Sequence, residues 1–332
     1  MSSKLPTHPL DEFCLPSGGI ILKSSDGIEF KVHKNLLSLG SGFFETMFSL
    51  PQPSEPWDGH TSTPGKEDSI EEMQVIEVSE PSEVMDKLLR FIYPVPTPSF
   101  PGVSEHGDIT NEEEFVRGIA PILEAAIKYD MQATVDRLST KLLDAARKAR
   151  PDGRLVHDTL ATRIYVVACK CGHRDLARRA AHISLKGRVQ GIFFEDFRDL
   201  RATQYFPLVS FHDKISKAMI AAMEGMCHSP RVQCYSCGST CKTTVSTADW
   251  WNNWYGAATQ IVQESPASEK VFTTKFCESY VYTSSGSSCS GGLCRQIWSN
   301  WILVSGTLKE NLKKAIDEVR GLIHDFQRRS SI

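Results

Sequence analysis

The hydrophobic pattern between residues 20 and 50 changes its period once. Residues 20–22 form a short apolar run, and residues 28–32 alternate apolar with charged side chains. Residues 24–27 between them carry the Ser, Asp and Gly that favour a tight turn, so this part predicts a β-hairpin. After Lys34 the apolar residues recur at helical spacing. The predicted order is therefore strand, strand, helix.

Three later segments follow this region. Residues 75–78 predict a third strand, and two further segments with apolar residues lie at 84–94 and 124–143. Two stretches rich in Pro, Gly and Ser separate these elements, at 51–69 and 94–110. Such composition is typical of surface loops, and we expect neither stretch to contribute much to the core.

The order and spacing of these segments resemble the BTB/POZ family. Its opening pattern is F-x-x-H-K, L-x-x-x-S and F-F-x-x-M-F, found here at Phe30, His33, Lys34, Leu37, Ser41, Phe43, Phe44, Met47 and Phe48. The resemblance implies an α/β domain over residues 18–150, with a small sheet flanked by helices and loop insertions at 51–69 and 94–110. It also implies helices at 84–94 and 124–143, which resemble the family's next helix and its closing helices.

The chain of 332 residues is long enough for two domains or three small units. We predict a flexible N-terminus at 1–17, a mainly α-helical domain at 151–226, and a small Cys/Trp-rich unit at 227–332. Three prolines in residues 1–17 disfavour the extra N-terminal helix through which many BTB domains form swapped dimers. Self-association therefore stays open, whereas a swapped dimer is not expected.

The second half of the chain has mostly helical periodicity. Residues 160–171, 174–185, 193–200 and 208–226 predict helices. The sequence of residues 162–185 resembles the helical segment that follows the BTB domain in fungal-type BTB proteins, in the place of BACK helices. A C-terminal amphipathic helix is predicted with Thr307 and Glu310 as a capping box, and with one apolar face formed by Leu308, Leu312, Ile316, Val319, Ile323 and Phe326.

Charge and motif content exclude several classes of function. There are 37 Lys and Arg residues against 40 Asp and Glu, a net charge of -3, so no basic field favours nucleic acid. Neither an export signal nor an apolar run of membrane-spanning length is recognisable, so we expect an intracellular protein of the cytoplasm or nucleus that binds no membrane. Common nucleophile, phosphate-binding and metalloprotease motifs are absent from the sequence. We therefore predict that the chain is not an enzyme.

The ten cysteines suggest a metal site in the C-terminal region. Cys234 and Cys237 are separated by two residues, and Cys289 and Cys294 by four that include two glycines. Two such pairs can hold a structural zinc ion in tetrahedral coordination, so zinc is the one cofactor predicted. Other ligand sets that include His228, Cys241 or Cys277 stay open, as does redox pairing. The main alternative is that these cysteines are reduced, buried thiols that pack like small apolar side chains.

Other chemistry-bearing residues have structural interpretations. Cys169 and His173 lie four residues apart, and we interpret them as a core thiol and a helix-end histidine rather than metal ligands. His33 is predicted to form structural hydrogen bonds at the strand-to-helix junction. The aromatic cluster of the third region is predicted to lie in the core; its members are Trp250, Trp251, Trp254 and Tyr255.

The resemblance also implies a surface for protein partners. Cullin-binding BTB domains share an apolar-x-Glu motif before the third strand, and Ile70 and Glu72 match it here. The predicted partner-binding residues are Phe43, Phe44, Met47, Phe48, Ile70 and Glu72. The function that follows is a non-enzymatic adaptor, with a cullin-3-type ubiquitin ligase as the partner. The alternative is a transcription-linked or structural scaffold whose C-terminal unit, stabilised by zinc, is the recognition element.

Overall fold

A computed structural model describes residues 19–50, 74–148, 156, 158–189, 198, 200–226 and 249–281, with part of 305–317. The chain separates into two compact units, Met1–Thr140 and Lys141–Ile332. The predicted N-terminus at 1–17, the loop at 51–69 and most of the helix at 193–200 lie outside the described residues.

The first unit contains a three-stranded sheet whose central strand is the first one. Strands β1 (Gly19–Lys23), β2 (Glu29–His33) and β3 (Val75–Glu77) are arranged in the order β2-β1-β3. β1 pairs antiparallel with β2 and parallel with β3, so Leu22 lies opposite both Phe30 and Ile76. The predicted hairpin and third strand are therefore confirmed.

The hairpin turn and the burial pattern follow from the sequence. Gly27 has a φ of +82°, in the left-handed region that glycine adopts without strain, and it closes the tight turn. Along β2, Phe30 and Val32 are buried, while the charged residues that alternate with them, Glu29 and Lys31, are exposed. One face of the sheet thus contributes to the core, as the alternating pattern predicts.

Two helices, rather than the one predicted, follow the hairpin. Helix α1 spans Lys34–Gly40 and α2 spans Gly42–Ser49, with Ser41 between them in an extended conformation. The Ser41 hydroxyl oxygen accepts a hydrogen bond from the Phe44 amide at 3.2 Å. Ser41 is therefore the N-cap of α2, a position that favours serine.

The middle of the first unit contains α3 (Ser82–Leu89) and a long connection to the next helix. The predicted loop at 94–110 has no helix or strand, and its only pairing among the described residues is an isolated bridge between Val103 and Ile109. Phe100 in this loop is nevertheless only 6% exposed. The expectation that the loop adds little to the core is wrong at Phe100.

Two long helices complete the region, α4 (Glu112–Lys128) and α5 (Gln132–Arg147). The helical prediction for residues 124–143 is confirmed, but α4 begins twelve residues earlier than predicted. Its N-cap is Asn111, whose side-chain oxygen accepts hydrogen bonds from the Glu113 and Glu114 amides at 3.1 and 3.2 Å. The division between the two units falls within α5.

The second unit is helical in its described part. Its helices are α6 (Leu160–Lys170), α7 (Arg174–Ser184), α8 (Ala202–Met226), α9 (Asp249–Glu264) and α10 (Thr274–Val281), with a short 3₁₀ helix at Glu269–Phe272. The predictions at 160–171, 174–185 and 208–226 are confirmed. None of the helices in the described part of the chain is both long and apolar enough to cross a membrane.

Helix α9 packs against α8, so residues on both sides of the predicted boundary at 226 are in contact. The Tyr255 hydroxyl donates to the Glu224 carboxylate at 2.9 Å. Trp254 is fully buried, which confirms its predicted place in the core. The side chains of Trp250 and Trp251 lie outside the described residues.

The C-terminal region is described only at some positions between 305 and 317, and these are helical. Ser305 already belongs to the helix, so Thr307 lies inside it rather than at the predicted N-cap. The apolar face itself falls outside the described residues; its members are Leu308, Leu312, Ile316, Val319, Ile323 and Phe326. The amphipathic character of this helix stays a prediction.

Candidate partner-binding surface

Large apolar side chains are exposed along the two short helices that follow the hairpin. Leu39 is 87% exposed, Phe43 44% and Leu50 58%, and β3 adds Val75 at 50%. Among the described residues, the remaining large apolar side chain of this exposure is Phe206 in the second unit. The exposed apolar side chains of the first unit are thus concentrated on α1, α2 and β3. We call Leu39, Phe43, Met47, Phe48 and Leu50 the α1–α2 surface.

The residues that the sequence predicts to bind a partner have different environments in the structure. Phe43 is exposed, whereas Met47 and Phe48 are half-buried. Phe44 is only 2% exposed, and its ring stacks on Tyr129 with centroids 5.2 Å apart and an interplanar angle of 12°. Phe44 therefore belongs to the core, which corrects its predicted place at the surface. Ile70 and Glu72 lie outside the described residues.

Phe48 connects this surface to both the core and a charged residue. Its ring stacks on Phe44 at a centroid distance of 5.9 Å. The Lys34 ammonium lies 4.9 Å from the centroid of the same ring, in the range of a cation–π interaction. The surface therefore combines the exposed ring of Phe43 and the half-buried ring of Phe48 with a nearby cation.

The N-terminus of α2 is held by the C-terminal end of α4. The Ser41 hydroxyl donates to the Tyr129 carbonyl at 2.5 Å, and the Gly42 amide donates to the Asp130 carbonyl at 3.1 Å. A methyl group on Gly42 would lie 2.3 Å from the Asp130 carboxylate, so glycine permits this close approach. We refer to Tyr129 and Asp130 as the α2 seat.

Tyr129 is itself fixed by a charged pair. Its hydroxyl donates to the Glu80 carboxylate, and the Lys128 ammonium lies 2.7 Å from a Glu80 oxygen. Burial raises the pKa of Glu80, but the hydrogen bonds from Lys128 and Tyr129 outweigh this effect and lower the pKa below its usual value. Burial, followed by the hydrogen bond to Glu80, raises the pKa of Tyr129. Glu80 is thus charged and Tyr129 is neutral near neutral pH.

Comparison with known protein families identifies the first unit. The family model described as BTB/POZ domain matches residues 19–145. Residues 19–145 are a BTB/POZ domain. The match begins at β1, includes the α1–α2 surface and the α2 seat, and ends within α5. No curated protein matches the chain. BTB domains mediate protein–protein interactions and are generally interaction modules rather than enzymes.

His33 of the BTB domain has the structural role that its position predicts. Its amide donates to the Tyr93 hydroxyl at 2.8 Å, and its Nδ1 lies 3.1 Å from the same oxygen. Tyr93 is buried at the end of the α3 region. The hydrogen bonds therefore fasten the junction of β2 and α1 to the core.

A groove next to α3 in the BTB domain was not predicted. It encloses about 330 Å³ between α3, the start of α4 and the 94–110 loop. Its apolar wall is formed by Val84, Pro101, Pro121 and Ile122, and its charged rim by Glu83, Lys87, Glu114 and Arg117. The Lys87 ammonium lies 2.6 Å from the Glu83 carboxylate, so these two opposite charges of the rim partly cancel.

The second unit has no metal site among its described residues. No group of three or more His, Cys, Asp or Glu side chains in the described part of the chain could hold a metal ion. His173 is the N-cap of α7, where its Nδ1 accepts from the Leu176 amide at 3.2 Å, and burial raises the pKa of Cys169 to about 11. The helix-end interpretation of His173 is confirmed, whereas Cys169 is half-buried near the end of α6 rather than fully inside the core. The predicted zinc ligands Cys234, Cys237, Cys289 and Cys294 lie outside the described residues.

Proposed function

We propose that the chain is a protein-interaction adaptor that binds a cullin-3-type scaffold through its BTB domain. The observation that carries this proposal is the exposure of apolar side chains along α1 and α2, with Leu39 at 87% and Phe43 at 44%. Isolated exposed apolar side chains are common, but several in one short segment are typical of a binding surface. The BTB match supports the same class of function.

The chemistry of the α1–α2 surface suits a protein partner. Aromatic residues and methionine are enriched where partners bury surface, because they contribute large contact areas. Phe43 presents an exposed ring that its contacts with Phe44 and Tyr129 hold in place, at centroid distances of 5.3 and 5.5 Å. A ring that is already ordered loses little side-chain entropy on binding. Phe43 is therefore the proposed central anchor.

The specific proposal of a cullin rests on the segment before β3. Ile70 and Glu72 match the apolar-x-Glu motif that cullin-binding BTB domains share. Val75, three residues later, is half exposed at the start of β3. We propose that Ile70 and Val75 extend the apolar contact and that Glu72 supplies a charged contact. The second unit would then hold the protein that the adaptor presents.

Light scattering on a sizing column tests this function. The full chain is measured alone and then mixed with the N-terminal domain of a cullin-3 homologue from the same organism. We expect a stable complex of defined stoichiometry. Phe43→Lys and Met47→Lys should remove it, because each places a charge on a surface that becomes dehydrated. Phe206→Lys is the matched control, since Phe206 is a 64% exposed phenylalanine of the second unit.

The possible outcomes answer two questions separately: whether the chain binds the cullin, and whether it does so through the α1–α2 surface. If no complex forms at tens of micromolar protein, the cullin proposal fails. If wild-type protein binds but the Phe43→Lys and Met47→Lys variants bind equally well, the partner is bound through another face. Circular dichroism of each variant shows whether the fold is intact, so that a loss of binding is not mistaken for unfolding.

A further inference from the structure

We infer that the α2 seat, Tyr129 and Asp130, positions α2 and thereby sets the affinity of the α1–α2 surface without touching the partner. The effect on affinity rests on the proposed function. The conformational part, in which the end of α4 holds the start of α2, stands on the geometry of the BTB domain alone and can be tested without any partner.

Two kinds of contact link the seat to α2. Two hydrogen bonds run to main-chain carbonyls of the seat, from the Ser41 hydroxyl and from the Gly42 amide. The Tyr129 ring then stacks on Phe44 and makes an edge contact with Phe43 at 5.5 Å and 69°. Because these contacts involve consecutive residues at the start of one eight-residue helix, they fix its position and its rotation together.

The seat is itself immobilised by a third element. Glu80 lies just before α3 and accepts a hydrogen bond from the Tyr129 hydroxyl, while the Lys128 ammonium donates to the same carboxylate. The Lys128 ammonium also donates to the Ser79 hydroxyl at 2.6 Å. The ring that supports Phe43 and Phe44 is therefore anchored at its far end. A displacement of α2 would require this anchored ring to move or the stack to separate.

Because Ser41 and Tyr129 are buried, they can position α2 but cannot contact the partner directly. Ser41 and Tyr129 are each 2% exposed, whereas Phe43, two residues after Ser41, is 44% exposed. A partner that covers Phe43 does not reach the Ser41 hydroxyl or the Tyr129 ring. A change at Ser41 can therefore alter binding only through the position or order of α2.

The test replaces Ser41 and follows individual amides by hydrogen exchange in the full chain. Ser41→Ala removes both the cap of α2 and its bond to the Tyr129 carbonyl. We expect the Gly42 and Phe44 amides to exchange roughly tenfold faster or more, from the loss of a cap and a buried hydrogen bond. The amides of Ile21 and Val78 should keep their rates, because they donate to the Gln74 and Lys23 carbonyls where β1 pairs with the β3 segment.

Two further variants show whether the faster exchange is due to the loss of the Ser41 hydroxyl. Ser49→Ala is the matched control, because in the described part of the chain the Ser49 hydroxyl donates to the Thr46 carbonyl, at the other end of α2. It should leave the Gly42 amide unchanged. Ser41→Thr retains a hydroxyl that can cap the helix, and it should restore most of the protection. A merely structural role would instead accelerate the sheet amides together with those of α2.

Affinity for the cullin-3 N-terminal domain is then measured for the same variants. We expect Ser41→Ala to bind roughly tenfold more weakly and Ser49→Ala to bind like wild type, since ordering α2 adds to the cost of binding. Unchanged exchange at Gly42 and Phe44 in Ser41→Ala overturns the inference. So does wild-type affinity in a variant whose α2 amides exchange faster. If wild type binds no cullin, the proposed function fails, and the exchange result alone decides whether the seat positions α2.

Discussion

The Asp26 carboxylate in the β1–β2 turn accepts two hydrogen bonds from Ser82, the first residue of α3. One comes from the Ser82 amide at 2.9 Å and the other from its hydroxyl at 2.6 Å. Pro81, the residue before α3, provides no side-chain cap. Asp26 thus caps α3 from the hairpin, where a negative charge also interacts favourably with the helix dipole. The hairpin and α3 are held together by this contact.

This contact predicts acid sensitivity of the BTB domain. Hydrogen bonds from the Ser24 and Ser82 side chains lower the pKa of Asp26 from 3.8 to about 2. A carboxylate with a lowered pKa in the folded state stabilises the fold above its unfolded pKa, and the contribution is lost as the pH falls through the folded value. Asp26→Asn should therefore lower the urea midpoint at pH 7, and the difference from wild type should shrink between about pH 4 and pH 2.

Urea unfolding of the BTB domain at several pH values checks this prediction. Glu105→Gln, which neutralises an exposed carboxylate in the 94–110 loop, is the control for the loss of one negative charge. It should follow the wild-type curve. A constant difference between Asp26→Asn and wild type down to pH 2 would contradict the capping role of the charged form.

A buried histidine predicts a second pH dependence, in the helical unit. The Ser184 hydroxyl donates to the Ala181 carbonyl at 2.8 Å, so its oxygen accepts a hydrogen bond from His212 Nε2 at 2.9 Å. Burial lowers the pKa of His212 from 6.5 to about 4. Because the unfolded chain binds a proton more readily, stability is complete above pH 6.5 and falls as the pH decreases toward 4. The loss by pH 4 is roughly 3 kcal/mol.

His212→Gln retains an amide donor but does not titrate, so its stability should depend less on pH in this window. The measurement is the free energy of unfolding of the helical unit against pH. His106→Gln, at an exposed position in the BTB domain, is the matched control and should leave that dependence unchanged. Equal pH dependence of the His212→Gln and wild-type proteins would show that His212 is not the titrating group.

Two helical glycines should respond in opposite ways to alanine. A methyl group at Gly118 in α4 would lie 2.5 Å from two ring atoms of Pro101, whereas one at Gly256 in α9 would meet nothing within 4 Å. Because the proline ring is rigid, Gly118→Ala should cost roughly 1–3 kcal/mol. Gly256→Ala should gain up to about 1 kcal/mol from helix propensity. Thermal unfolding of both variants checks the pair, and equal effects would contradict the packing argument.

The predicted zinc site can be tested by elemental analysis. If Cys234, Cys237, Cys289 and Cys294 form a tetrahedral site, the purified chain should contain about one zinc ion per molecule. Replacing Cys234 and Cys289 together by serine should remove it, whereas Cys169→Ser, at the end of α6, should not. Chelation should then unfold the region around the site, because metal binding and folding are coupled in such units. A metal-free protein of unchanged stability would favour packed thiols.

The sequence predicts individual strands and helices better than it predicts where a helix is interrupted or which distant residues pack against it. The hairpin was predictable because its alternation and its turn residues are adjacent in the chain. The break at Ser41 was not, because apolar residues recur at helical spacing on both sides of it. Periodicity marks Phe43 and Phe44 alike as apolar, but it does not tell which of them the Tyr129 ring covers. Phe44 was therefore assigned to the surface although it lies in the core.

Other features depend on contacts between distant residues. The start of α4 was missed because Gly118 and Pro121 interrupt its helical pattern, although Asn111 followed by three glutamates is a recognisable N-cap signal. The pairing of Asp26 with Ser82 joins residues 56 positions apart, and that of Glu80 with Tyr129 joins residues 49 apart. No local pattern indicates such pairs, so the α2 seat emerges only from the fold.

The parallel pairing of β1 with β3 also determines when the sheet can be completed during synthesis. The β1–β2 hairpin can form as soon as His33 has left the ribosome, but the other edge of β1 receives its partner only when Ile76 has emerged. Until then Leu22 lies in a strand with one unpaired edge, and unpaired edges promote association with other chains. The interval between those two events is the period in which a nascent chain is most exposed to mispairing.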